Sequence, residues 1–308
     1  MSKHRAILIA GPTASGKSAA ALALAESLNG VVINADSMQV YRELRILTAR
    51  PSPQDEARVP HALYGFVPAL EAYSAGRWLE DAGKAIAQAE RQGRLPVITG
   101  GSGLYFKALL EGLSPIPDIP PEIRARWRAQ ARKKTPQELH HILRGRDPET
   151  AAQLRPSDPQ RLVRALEVLD ATGRPLADWQ KEPGEPLLGE DEVARICIMP
   201  PRDSLYARID KRFDAMLEEG ALEEVKNLAA LTVDPDMPVM RALGVRPLMA
   251  LLSGDVQRED AVARAKSETR HYAKRQLTWA KSNMIAWKRI TVKDSERFMS
   301  NIFSFIDV

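Results

Sequence analysis

At 308 residues the chain has room for one large domain, or for a core with a second domain set into it. Its 44% hydrophobic and 27% charged residues suit a soluble globular enzyme, and no run approaches the ~18 consecutive apolar residues of a membrane span. Net charge is only +4, and the single cysteine, Cys197, excludes an intramolecular disulfide and a cysteine-rich zinc site. Cys197 lies in the apolar run RICIM, which reads as a buried small hydrophobe rather than a nucleophile. A cytosolic protein is expected.

In chain order, Lys3, His4 and Arg5 before AILIAG imitate a signal peptide, but the would-be cleavage region is occupied by GPTASGKS, residues 11–18, and that reading is rejected. Gly11, four residues, Gly16, Lys17 and Ser18 fit the P-loop pattern. The apolar run Ala6 to Ala10 before it has strand length, and AAALALAESL after it is rich in helix formers, so the strand–turn–helix context is met. Small residues let backbone N–H groups curl around phosphate oxygens, and the helix N-terminus adds partial positive charge. Lys17 would neutralise the phosphate and Ser18 would ligate Mg²⁺. The bland alternative is a chance glycine turn.

VVINA at 31–35, LPVIT at 95–99 and ARICIM at 194–199 read as further buried strands, alternating with helices at 74–92 and 102–112. That alternation predicts an α/β fold with a parallel sheet around the P-loop. LSPIPDIPPE at 113–122 then reads as a hinge, and residues 122–181 carry helical signals without a convincing strand. After EPGEPLLGEDE the Cys197 strand follows, and helices run to about 281. The expected architecture is a P-loop NTPase-like parallel core, residues 1–114 and 191–308, interrupted by an all-helical insertion at 115–190.

Four local groups narrow the chemistry. Asp36 in NADSMQVY follows the second strand, where a carboxylate can serve as general base, as an outer Mg²⁺ ligand or as a helix N-cap. GGSGLYFKALLEGL places Ser102 at a second strand–Gly turn–helix junction, which could equally be close packing. Arg161 and Arg164 in DPQRLVRALEV share a helix face, as a solvated pair also would. YAKRQLTWAKS combines Lys274, Arg275, Trp279 and Lys281 on one helix, the Trp being either a stacking platform or core. Positive charge is concentrated at 121–146 and 264–289, with eight Lys or Arg in each. That suggests a polyanion larger than a nucleotide, or else two solvated helix faces.

Together and in this order the segments resemble the bacterial-type tRNA dimethylallyltransferases (tRNA isopentenyltransferases). GPTASGKS, NADSMQVY with TARP, GGSGLYFKALLEGLSPIP, DPQRLVRALEVLDATG, and RALGVR followed by YAKRQLTWAK carry the match from residue 11 to 281. Ser18 and Ser102 stand where the family more often has Thr, Val245 where Tyr is usual, and the usual Gly before Thr48 is absent.

The resemblance implies transfer of the prenyl group of dimethylallyl diphosphate to the exocyclic amine of the adenosine immediately 3′ of the tRNA anticodon, with diphosphate as leaving group and Mg²⁺ as cofactor. It implies that Gly11, Pro12, Thr13, Ala14, Ser15, Gly16, Lys17 and Ser18 hold the diphosphate, Ser18 with the metal. It assigns catalysis to Asp36 as base, with Lys17, Ser102 and Arg212. Carried over with it are tRNA contacts at Asp36, Ser37, Met38, Gln39, Ser102 and Arg124, at Gln160, Arg161, Leu162, Val163 and Arg164, at Arg241, Ala242, Leu243, Gly244, Val245 and Arg246, and at Lys274, Arg275, Gln276, Leu277, Thr278, Trp279, Ala280 and Lys281. It further implies an insertion that grips the anticodon stem-loop; a monomer without membrane contact is expected. A nucleotide or small-molecule kinase with the same P-loop is the rival enzyme, and an RNA-binding protein with a regulatory P-loop is the rival binding module. Prenyl or phosphate label entering RNA separates the three.

Overall fold

A computed structural model describes residues 4–291 and 295–306. By chain contacts it divides into two compact units, residues 1–110 with 187–308, and residues 111–186. The boundaries lie a few residues earlier than the 115 and 190 expected from composition.

The first unit opens with β1 (Ala6–Ala10), α1 (Lys17–Ser27), β2 (Gly30–Asn34), α2 (Pro53–Arg58), β3 (His61–Ala62), α3 (Ala75–Arg91), β4 (Leu95–Gly100) and α4 (Gly103–Glu111). All strands are parallel, in the order β3-β2-β4-β1-β5-β6 once the later strands are counted. A strand covered on both faces must be apolar throughout, and the residues of β1 are 0–3% exposed. Ile7 and Ile9 face the layer of α1, whereas Ala6, Leu8 and Ala10 face the layer of α3 and α4. Helix α3 buries Trp78, Ala82, Ile86 and Ala89, one stripe at helical spacing, and starts where the Ser74 hydroxyl accepts from the N–H of Arg77.

The second unit holds α5 (Pro121–Lys133), α6 (Pro136–Arg146), α7 (Pro148–Gln153), α8 (Pro159–Thr172) and α9 (Leu176–Trp179). Its own core gathers Trp127, Leu139, Leu143, Leu162 and Leu166. Each of α6, α7 and α8 begins with a side-chain cap and a proline in its first turn, the residues that end an extended stretch and start a helix. Residues 112–120 have no regular structure. There the two ends of the unit touch: a Cβ on Gly112 would lie 2.4 Å from the carbonyl carbon of Gly184, and one on Gly184 would lie 2.3 Å from the nitrogen of Leu113. Only glycine allows backbones this close.

The chain returns to the first unit with the N–H groups of Leu187 and Leu188 both donating to the carbonyl of Leu109. It continues through β5 (Val193–Ile198), α10 (Arg202–Glu218), α11 (Ala221–Ala230), α12 (Val245–Leu252), α13 (Arg258–Asn283), β6 (Lys288–Ile290) and α14 (Ser295–Ile306). Cys197 is buried in β5, and burial pushes its thiol up to about 11, which leaves it unreactive.

Candidate active site

In open α/β sheets ligands sit at the carboxyl ends of strands, most often where the chain reverses its direction of progress across the sheet. Here the onward connections of neighbouring strands β1 and β4 leave toward opposite edges. The phosphate loop follows β1, Asp36 follows β2, Gly101 and Ser102 follow β4, and α10 with Arg212 follows β5.

The phosphate loop turns through positive φ at Ala14 (60°) and Gly16 (93°), and the latter directly precedes α1. No side chain caps α1, so its first N–H groups stay available to a ligand. The Ser15 hydroxyl is buried without a hydrogen-bond partner among the described residues, while Ser18 is exposed. Lys17 Nζ donates to the carbonyl of Pro12 at 3.3 Å, and Arg212 donates to the Thr13 hydroxyl from across the loop. Desolvation pushes Lys17 down to about 8; the Asp36 carboxylate opposes that shift and the Arg212 guanidinium adds to it. Two cations facing one carboxylate leave a net positive field, which suits an anion.

Asp36 does not cap a helix, one of the roles open to it in the sequence. No helix follows until Pro53, and residues 37–52 form turns instead. Its Oδ1 accepts from the N–H of Met38 at 2.9 Å, closing a local turn, and its Oδ2 has no hydrogen-bond partner among the described residues. The buried Asn34 holds this turn: its Oδ1 accepts from the N–H of Asp36 at 2.8 Å, and its amide donates to the carbonyls of Asp36 and Leu63. The indole N–H of Trp78 donates to the Asn34 carbonyl, and the Trp78 ring stacks on Tyr105 at 4.1 Å. Burial and the Asp36 charge together push the phenols of Tyr64, Tyr105 and Tyr272 upward, so all three stay neutral in the field of this carboxylate.

Ser102 accepts from the N–H of Ser37 through its hydroxyl and ties the loop after β4 to the loop after β2. Gln39 has its amide turned inward, donating to the carbonyls of Thr48 and Ala49, so that side chain shapes the loop. Glu224 of α11 gathers the N–H groups of Arg45, Ile46 and Leu47, the last two at 2.8 and 2.9 Å. Asn34 opens the NADSMQVY segment, but its role in holding the turn is not legible there, and Glu224 carries no signal in the sequence beyond its residue type.

The expected RNA-contacting segments divide by burial. Gln160, Arg161, Arg241, Arg246, Lys274, Arg275, Thr278 and Lys281 are exposed. Leu162, Ala242, Gly244, Val245 and Ala280 are buried, so their side chains serve the core rather than RNA; Val163, Leu243, Leu277 and Trp279 are half-buried. Val245, where the family usually has Tyr, is fully buried at the start of α12, and Leu47, before Thr48, packs toward Gly244. Trp279 lies against Gly103, where a Cβ would meet the indole at 2.3 Å, so this ring belongs to the packing of α13 on α4.

Many of the basic residues are already paired. In the second unit the half-buried Asp170 accepts from Arg126, Arg146 and, at 2.6 Å, the indole N–H of Trp127. Burial works against its charge, but the Arg146 and Trp127 hydrogen bonds hold its carboxyl below the usual range. In the first unit Arg264, Lys266 and Arg270 pair with Glu268, Asp214 and Asp210. Arg124, Arg128, Lys274, Arg275 and Lys281 carry no ion pair among the described residues. Buried Glu167 lies in the field of Arg164, Arg128 and Arg124, and burial raises its pKa against their pull.

A parallel sheet with a phosphate loop, two cations and an opposed carboxylate is the framework of a P-loop protein with a site suited to an anion. The comparisons specify which. The family model described as IPP transferase matches residues 39–283, and one described as isopentenyl transferase matches residues 4–59. The chain belongs to the IPP transferase family. Proteins named tRNA dimethylallyltransferase from Parvibaculum lavamentivorans and Rhodopseudomonas palustris are each 55% identical to it, covering 98% and 90% of this chain and 96% and 88% of their own. The solved tRNA isopentenylpyrophosphate transferase of Bacillus halodurans superposes with a TM-score of 0.68 at 34% identity, covering 98% of this chain and 95% of that one. A eukaryotic dimethylallyltransferase described as acting on tRNA gives 0.81 at 28% identity, covering 97% of this chain and 76% of that one.

Proposed function

We propose that this enzyme transfers the dimethylallyl group of dimethylallyl diphosphate to N6 of the adenosine immediately 3′ of the anticodon in tRNA. The observation that carries the proposal is the Asp36 carboxylate, one oxygen anchored on Met38 and the other idle, facing the field of Lys17 and Arg212. In the reaction the allylic C–O bond of the donor breaks and its electron pair passes to the diphosphate. The lone pair of N6 forms the new C–N bond, and the N6 proton passes to Asp36 Oδ2. An adenine amine is a weak nucleophile because its lone pair is delocalised into the ring, so removing its proton as the bond forms matters. Lys17, Arg212 and the loop amides stabilise the charge growing on the leaving group.

Mg²⁺ fits the same loop. No group of three or more His, Cys, Asp or Glu side chains that could hold a metal occurs among the described residues. A metal here would therefore take the exposed Ser18 hydroxyl, donor phosphate oxygens and water, the ligand set this small hard cation favours. When bound it would neutralise phosphate charge. The reactive base must leave its stack to reach Asp36; on the first unit exposed Arg241, Arg246, Lys274, Arg275 and Lys281 are proposed to contact the RNA, and on the second unit half-buried Arg124 and exposed Gln160 and Arg161 are proposed as further contacts. No described helix is long and apolar enough to cross a membrane, and a single chain working in the cytosol on tRNA is consistent with that.

Incubation with tRNA, Mg²⁺ and donor labelled in the prenyl group tests the reading: label should enter RNA and diphosphate should appear in equal amount. Transfer of label from the γ-phosphate of ATP instead would restore the kinase, which the comparisons do not favour.

A further inference from the structure

Family resemblance places Gln276 of α13 among the residues that touch RNA, yet both ends of its side-chain amide are engaged inside the protein. Its Oε1 accepts from the backbone N–H of Thr13 at 2.9 Å, and its Nε2 donates to the carbonyl of Gly101 at 2.9 Å. The amide's orientation is fixed by its partners, since a backbone N–H can only donate and a carbonyl can only accept. Thr13 belongs to the phosphate loop and its hydroxyl holds Arg212. Gly101 belongs to the loop after β4, where a Cβ would lie 2.1 Å from Gln276 Nε2 and 3.5 Å from Asp36 Oδ2. Tyr272, one turn earlier on α13, lies beside Gln276, whose amide works against the upward shift of the phenol.

From this geometry we infer that Gln276 is a positioning residue for the donor: its amide clasps the phosphate loop to the loop beside the base and fixes the distance between leaving group and Asp36. The inference rests on the reading of the site proposed above. Only a side chain with a donor and an acceptor side by side, at this reach, makes both contacts. Glutamate would keep the contact to Thr13 but set a negative oxygen against the Gly101 carbonyl and beside the diphosphate. Methionine would keep the volume and lose both bonds.

The clasp acts on the loop before any RNA arrives, and that separates it from an RNA contact. The probe is inorganic pyrophosphate with Mg²⁺, titrated into RNA-free protein by calorimetry. Q276M and Q276E should weaken pyrophosphate binding about tenfold, the second more than the first. Affinity for tRNA without donor should stay within about twofold. In steady state the donor KM should rise and kcat fall together, because both the ground-state contact and the alignment with Asp36 are lost. Unchanged pyrophosphate affinity with weakened tRNA binding would overturn the inference and return Gln276 to the RNA surface. Equal losses in both, accompanied by a clear drop in Tm in both variants, would overturn it in favour of a general packing role. The underlying function fails separately: wild type would then bind pyrophosphate but leave prenyl label out of RNA.

Discussion

The loops that leave β1 and β2 differ in how far their side chains are engaged, although the second also keeps the Tyr41 hydroxyl and Arg50 Nε buried without a partner among the described residues. In the phosphate loop, among the described residues, the Ser15 hydroxyl is buried without a partner, α1 begins uncapped, and Lys17 donates only to the Pro12 carbonyl, at a long 3.3 Å. In the loop after β2 the side chains of Asn34, Gln39, Thr48 and Arg50 all bond to backbone, and Glu224 holds three further amides from outside. An unpaired buried polar group costs about 1–3 kcal/mol, so idle donors and hydroxyls persist where a ligand completes them. In the second loop the bonds hold one carboxylate oxygen still while the other stays open. On the proposed reading, the less engaged loop is the cradle for a polyanion and the more engaged one the platform for a base.

Replacing Asp36 with Asn should break this contrast at its most sensitive point. Asn keeps the acceptor for the Met38 N–H and so preserves the turn, but it cannot take a proton. Prenyl transfer should fall by roughly a hundred-fold or more, with tRNA affinity within a few-fold and Tm unchanged. Turnover near that of wild type would make the carboxylate purely structural.

Lys17→Met attacks the idle side of the comparison. The donor KM should rise and kcat fall, each by about tenfold or more, if, as proposed, the ammonium meets the diphosphate in both ground and transition states. Affinity for tRNA alone should hardly move. An equal loss of tRNA affinity would show that the loop binds RNA phosphate.

The distinction between idle and engaged groups also sorts the two basic segments. Reversing Lys274 and Arg275 to Glu should weaken tRNA binding about tenfold and flatten the plot of log affinity against log salt by roughly 1.5–2. The Lys266–Asp214 pair is engaged within the protein, so Lys266→Gln should leave that slope unchanged. A flattened slope for Lys266→Gln would mean that the pair opens to meet RNA.

A smaller effect concerns pH. Lys17 sits near 8 in the folded protein and near 10.4 when unfolded, so the unfolded chain holds its proton to higher pH. The lysine's contribution to stability therefore rises between about pH 8 and 10. Donor affinity moves the other way, falling by up to about tenfold per pH unit above 8, because the anion requires the ammonium. Calorimetry of pyrophosphate in buffers of different ionisation heat should detect proton uptake near pH 8.5. Lys17→Arg should abolish both the uptake and the pH dependence. Uptake that persists in that variant would assign the proton elsewhere.

Much of this was legible in the sequence. The P-loop is a local pattern, and the apolar runs at β1, β2, β4 and β5 are long enough to read as buried strands. Strands β3 and β6 escaped, one with two residues and the other reading Lys-Arg-Ile, too short and too charged to stand out. Local signals could also mislead. Asp36 after a strand looks like a helix cap until the next helix is found to start only at Pro53, and Arg126 and Arg146 look like free charges until Asp170 is found between them. The clasp at Gln276 could not be read at all, because its partners lie 263 and 175 residues away in the chain.

The two glycines that let backbone meet backbone at 112 and 184 have a consequence for how such a chain is assembled. For the sheet, an insertion whose ends already touch is equivalent to a tight connection between α4 and β5, sealed by the two amides on Leu109. The entropy of bringing β5 alongside β1 then depends on a few residues around the junction rather than on everything between them. The helical unit is in this sense a graft: it can lengthen, shrink or be exchanged while the strand order of its host stays the same.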